Sequence, residues 1–119
     1  MTTRNLHVLY KLDEHQFYPT LAATAGVSLV FFSKHGCGSC AKWKMLLTDY
    51  LKQKPDIHIF EIDAEQNMAL VNEYELFHMP ALFLFQDGEF HCELQSEAAL
   101  PSLDAAIAHA LSQPPQEAP

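Results

Sequence analysis

Glycine is scarce in this chain, with four in 119 residues, and there is a single tryptophan. Basic residues are also few: seven Lys and Arg stand against fifteen Asp and Glu, a formal net charge of −8. A surface this acidic repels phosphate backbones and anionic lipid, so nucleic acid and membrane are excluded as expected partners. No long hydrophobic run is present. The longest, "AATAGVSLVFF" from Ala22 to Phe32, has eleven residues, where a spanning helix needs about 20. The opening "MTTRNLHVLYKLDEHQ" carries Arg4, but His7 and Lys11 interrupt the apolar stretch that a secretory leader would need. A cytoplasmic location is the expectation. Cysteine is limited to three, an odd and low count that argues against a secreted disulfide scaffold and for thiol chemistry or metal binding.

What is present is a foldable core. Apolar residues make up 49%, enough for one domain of this length without covalent staples. The expected organisation is a single domain over residues 1–112 and a loose polar tail, "QPPQEAP", over 113–119. "LHVLY" (Leu6 to Tyr10) reads as a strand. Asp13 and Gln16 have capping-box spacing before a helix extending to about Ala25, with Pro19 expected to kink or divide it. "SLVFF" (Ser28 to Phe32) is apolar without alternation, as in a strand buried on both faces. Beyond it, Trp43, Leu46, Leu47, Tyr50 and Leu51 fall on one helical face. "IHIFEI" (Ile57 to Ile62) is a further strand, followed by a helix with Leu70, Val71 and Tyr74 inward. "ALFLF" (Ala81 to Phe85) and "EFHCEL" (Glu89 to Leu94) flank Asp87-Gly88, a strong hairpin signal. A last helix over about Leu100 to Ser112 places Leu100, Leu103, Ile107 and Leu111 on one face. The order β-α-β-α-β-α-β-β-α predicts an α/β fold. Its mixed sheet has helices on both faces, parallel crossovers and a late antiparallel edge.

The chemistry concentrates in "KHGCGSCAKW", Lys34 to Trp43. A buried strand ends near Ser33 and a helix begins near Cys37, so Cys37 lies where free N–H groups and the helix dipole favour a thiolate. Cys40 is one turn further on the same face, within reach of a disulfide. An outer sulfur that attacks and an inner one that resolves is the logic of a dithiol oxidoreductase. Two other readings stand beside it. The pair is a static or regulatory clasp, or it joins His35 and His78 as a Cys2His2 metal set, an iron–sulfur centre shared by two chains included.

With these pieces the chain resembles the thioredoxin family over roughly Leu6 to Leu111. The resemblance rests on "SLVFFSKHGCGSCAKWK", "IFEIDAEQN", "YELFHMPALFLFQDGEF" and the closing amphipathic helix. It implies a thioredoxin fold and protein thiol–disulfide exchange through catalytic Cys37 and Cys40. It also implies a cis Pro80 facing the cysteines, with the Met79 backbone holding a substrate strand. Gly36, Gly38, Ser39, Met79 and Pro80 are the expected substrate contacts, and His35 and His78 the expected tuners of the thiolate. The implied partners are protein disulfides and a thiol reductase that regenerates the dithiol; no cofactor or metal is implied, and a monomer is expected.

The sequence departs from the family pattern at four places. Gly38-Ser39 replaces Gly-Pro between the cysteines, which implies a less reducing pair. Gly36 stands where a tryptophan precedes the first cysteine. Phe31 stands where the family buries an acid beneath the second cysteine, leaving the proton acceptor to His35, His78 or water. Ser96 stands at about the position where the family has a groove-lining glycine, which implies a narrower groove. These departures imply a specialised protein with a restricted partner. They also sustain a second reading, a thioredoxin-like binding or chaperone module whose cysteines sense redox state or bind metal. Cys92 and Trp43 read as core residues. Glu61, Asp63, Glu65, Glu73 and Glu75 read as a solvated acidic face.

Overall fold

The run "SLVFF" forms the middle of the sheet. The computed structural model describes residues 9–119. Five strands pair in the order β1-β3-β2-β4-β5. They are β1 (Tyr10–Lys11), β2 (Val27–Ser33), β3 (His58–Asp63), β4 (Ala81–Gln86) and β5 (Glu89–Glu93). The helices are α1 (Phe17–Ala22), α2 (Gly38–Gln53), α3 (Met68–Glu73) and α4 (Leu100–Leu111). Element order therefore agrees with the sequence reading. Most of Leu6–Tyr10 lies outside the described residues, and β1 continues to Lys11.

β2 alternates between two apolar layers, since successive side chains leave a strand on opposite faces. Leu29 and Phe31 pack with Trp43, Leu47 and Tyr50 of α2 and Leu103 and Ile107 of α4. Val30 and Phe32 pack with Phe17 and Leu21 of α1, Leu70 of α3 and Tyr74. Helices thus cover both faces, and β2, β3 and β4 are buried almost throughout. Within their common layer, α2 and α4 are further joined by the Tyr50 hydroxyl, which donates to Asp104 Oδ1 at 2.9 Å.

The first helix is shorter than expected. Asp13 accepts the amides of His15 and Gln16 at 2.9 Å each, so it caps a turn, and α1 starts only at Phe17. Pro19 is then the third helical residue, where the missing N–H has no intrahelical partner to lose, and no kink is needed.

One strand direction differs from the expectation. β4 is antiparallel to β2, with Phe32 opposite Ala81 and Val27 opposite Gln86, so the antiparallel part of the sheet begins at β4. The reason lies in α3, whose six residues span only about 9 Å. That is too short to carry the chain back along a six-residue strand of about 20 Å. β4 therefore starts beside the end of β2, where the cysteines are.

The hairpin turn has φ of 52° at Asp87 and 82° at Gly88, the left-handed pair of a type I′ turn. A Cβ on Gly88 would lie 2.7 Å from the Leu21 carbonyl oxygen and 2.9 Å from Ala22 Cα. Both are backbone atoms with little freedom to yield. Gly88→Ala is expected to cost about 2–3 kcal/mol, from strain at a special φ together with overpacking. A urea midpoint equal to wild type would contradict this.

The tail, expected to be loose, touches the sheet edge. Gln116 donates its amide to the His91 carbonyl at 2.7 Å, and its side-chain oxygen accepts the Glu93 amide at 3.3 Å.

Candidate active site

β2 ends at Ser33, and three loop residues lead to Cys37, the N-cap of α2. Gly36 has a φ of +70°. That backbone disfavours any side chain, which accounts for glycine immediately before the first cysteine. Cys37 Sγ accepts the Cys40 amide at 3.1 Å, so the sulfur does the work of an N-cap oxygen. The same N–H, with the positive end of a 16-residue helix, favours negative charge on that sulfur in the reduced protein.

The two sulfurs are joined as a disulfide, with Cα atoms 5.2 Å apart. Their surroundings are unequal. Cys37 is half-buried, whereas Cys40 is 4% exposed and packs into the α2 layer. Cys37 Sγ lies 3.8 Å from the Met79 carbonyl oxygen, and the Met79–Pro80 peptide is cis. The antiparallel run of β4 places this segment opposite the disulfide.

The other expected residues separate into groups. Gly38 and Ser39 are exposed in the first turn of α2. His35 is exposed and shares a cleft with both cysteines. His78 is exposed in a separate hollow that it lines with Tyr74, Phe77 and Pro80. His35 is thus beside the sulfurs and His78 is not, and among the described residues no three His, Cys, Asp or Glu side chains form a metal-binding group. Ser96 lines a small hollow with Trp43 and Pro80. Trp43 is 7% exposed and belongs to the core, as does Cys92, whose thiol is pushed upward by burial.

Two features escaped the sequence reading. Phe77, 87% exposed, projects from the loop beside Met79-Pro80. Glu61, expected on a solvated face, is 6% exposed. Its Oε2 accepts the Ser33 hydroxyl at 2.9 Å and its Oε1 pairs with Lys44 Nζ at 3.3 Å. It lines the same cleft as Cys37 and Cys40. The clue in the sequence is a charge inside an otherwise apolar strand, "IHIFEI".

The Thioredoxin family model matches residues 8–109. This chain belongs to the thioredoxin family. It is 24% identical to thioredoxin of Chlamydia trachomatis over 96 residues, covering 81% of this chain and 89% of that one. It is 28% identical over 90 residues to the thioredoxin domain-containing protein 5 homolog of Drosophila melanogaster. That match covers 71% of this chain and only 22% of the fly protein. The oxidised form of mitochondrial thioredoxin 3 from Saccharomyces cerevisiae superposes with a TM-score of 0.73 at 22% identity, covering 85% of this chain and 94% of that one. The thioredoxin fold is thus shared with this family, and the Cys37–Cys40 pair fits a C-x-x-C motif.

Proposed function

We propose that this protein is a thiol–disulfide oxidoreductase that exchanges its Cys37–Cys40 pair with disulfides of partner proteins. The observation that carries the reading is the inequality of the two sulfurs. The outer one sits at a helix N-terminus and accepts a backbone N–H; the inner one is packed away one turn deeper. In the dithiol form the Cys37 thiolate attacks a partner disulfide, forming a mixed disulfide and releasing one partner thiol. Cys40 then attacks Cys37 Sγ, the second partner thiol leaves, and the Cys37–Cys40 bond closes. A thiol reductase returns the dithiol, and the cycle needs no bound cofactor.

The partner surface is formed by Gly36, Gly38 and Ser39 on one side and Met79-Pro80 on the other. The Met79 carbonyl faces the reacting sulfur, placed to hold an extended partner segment by its backbone. Phe77 extends this surface with an apolar anchor. The left-handed Gly36 and the exposed Phe77 favour a restricted partner over a general reductant role. We place this activity in a reducing, cytoplasm-like compartment, in a monomer.

Trapping tests the reading. Cys40→Ser should accumulate covalent partner complexes through Cys37 that reductant releases, and reduced wild-type protein should cleave insulin disulfides. A chain that keeps its partners with both cysteines changed to Ser, and leaves insulin intact, is a binding module instead.

A further inference from the structure

The family's buried acid is absent at position 31, where Phe31 is fully buried. An acid nevertheless enters this layer from the neighbouring strand. Glu61 of β3 is in register with Phe31 of β2. It shares a face with Ile59, a member of the core layer that contains Cys40. Its two carboxylate oxygens each have one partner, the Ser33 hydroxyl and the Lys44 ammonium. An ionised carboxylate offers about four lone-pair sites, so capacity to accept a proton remains. The cleft of about 180 Å³ that it lines has Cys37, Cys40, Ser33 and His35 among its walls. That is room for a bridging water, which occupies about 30 Å³.

Resolution of a mixed disulfide poses a specific difficulty. Cys40 is buried, and a buried thiol holds its proton, yet only the thiolate attacks. We propose that Glu61 accepts the Cys40 proton across this cleft, through a bridging water, as Cys40 attacks Cys37. The inference rests on the exchange activity proposed above. The S–H bond of Cys40 breaks and its proton passes to the carboxylate. The new Cys37–Cys40 bond forms as the bond from Cys37 to the partner sulfur breaks, and that sulfur leaves with the electron pair. The departing thiolate then takes up a proton, and Glu61 returns to the carboxylate. No other reactant is required. Lys44 is the positioning residue, holding the carboxylate toward α2. Other charged or titratable groups near Glu61 include Lys34 and His35 of the loop, Asp63 two residues along β3 on the same face, and Lys11, its register partner in β1.

The alternative role for Glu61 is purely structural, an ion pair joining β3 to α2. The two are separated with 5,5′-dithiobis(2-nitrobenzoate), which reacts with reduced protein in two visible steps. The first thionitrobenzoate release reports attack by Cys37; the second reports resolution by Cys40. A Cys92→Ala background removes the third thiol. Glu61→Gln, which preserves shape and the contact with Ser33, should leave the first release unchanged. It should slow the second by roughly tenfold or more at pH 7, at or below the lower end of general-base effects. The two proteins should converge above about pH 9, where a thiol ionises unaided. Glu61→Asp should recover most of the rate. In wild type alone, the second release should fall less steeply than tenfold per pH unit below the ordinary thiol range. An unchanged second release in Glu61→Gln, or equal slowing of both releases, overturns the inference and leaves the exchange reading intact. A wild-type protein that gives no second release overturns the exchange reading, and this inference with it.

Discussion

Phe31→Asp, which writes the family's acid back into the chain, should destabilise the domain by about 4 kcal/mol or more. Phe31 is fully buried, in the layer formed by Cys40, Trp43 and Leu47. Truncating a buried phenylalanine alone costs about 3–5 kcal/mol. The new carboxylate would also stand in register with Glu61 on the same face of the sheet. Two like charges in a dry layer resist joint ionisation, and the single ammonium of Lys44 already has a partner. A domain of ordinary stability, about 5–15 kcal/mol, would be left marginal. Phe31→Leu, which keeps an apolar side chain, should cost far less. Urea denaturation of the three proteins checks this; a Phe31→Asp midpoint near that of wild type would mean that the layer has room for a second acid. The expected loss says that this layer is built around an apolar side chain at position 31 and one acid on β3.

Cys37→Ser should lower disulfide exchange by roughly a thousandfold or more, the scale seen when the nucleophile of a concerted unit is removed. The fold should hardly notice. Cys37 is the N-cap of α2 and its sulfur accepts the Cys40 amide; serine is among the preferred residues at that place and accepts the same N–H. Compared in the reduced state, the two proteins should agree within about 0.5 kcal/mol. Cys40→Ser should behave differently, retaining attack on a partner disulfide but losing release. Insulin reduction rates and melts under reducing conditions read both quantities. Comparable exchange by Cys37→Ser would transfer the nucleophile to another thiol and refute the assigned roles.

Local rules made much of this protein legible. The apolar run at β2, the helical spacing from Trp43 to Leu51 and the Asp87-Gly88 turn each specify an element through short-range geometry, and each is found where expected. The position of Cys37 at a helix start follows from two of these elements meeting. Strand direction was harder, because periodicity carries no sign. Only the length of α3 decides that β4 runs backward, and "MALVNE" gives weak boundaries. Glu61 was misread for a related reason. Its partners, Ser33 and Lys44, lie on other elements, so "IHIFEI" shows a charge within a strand but not the groups that let it stay buried. Phe77 reads as one more apolar residue near "YELFHMP" until the loop is seen to turn it outward.

β2 has hydrogen-bonded neighbours along both sides, parallel β3 and antiparallel β4. Cys37, reached by a three-residue loop from the end of β2, therefore follows the strand least able to detach on its own. Fraying at β1, at β5 or at the chain ends can come and go without moving the sulfur, because amides in a doubly paired central strand open only with the whole domain. Heat would then take the Cys37–Cys40 geometry and cooperative structure away in a single event, with no intermediate regime in which a folded chain has lost the arrangement of its two sulfurs.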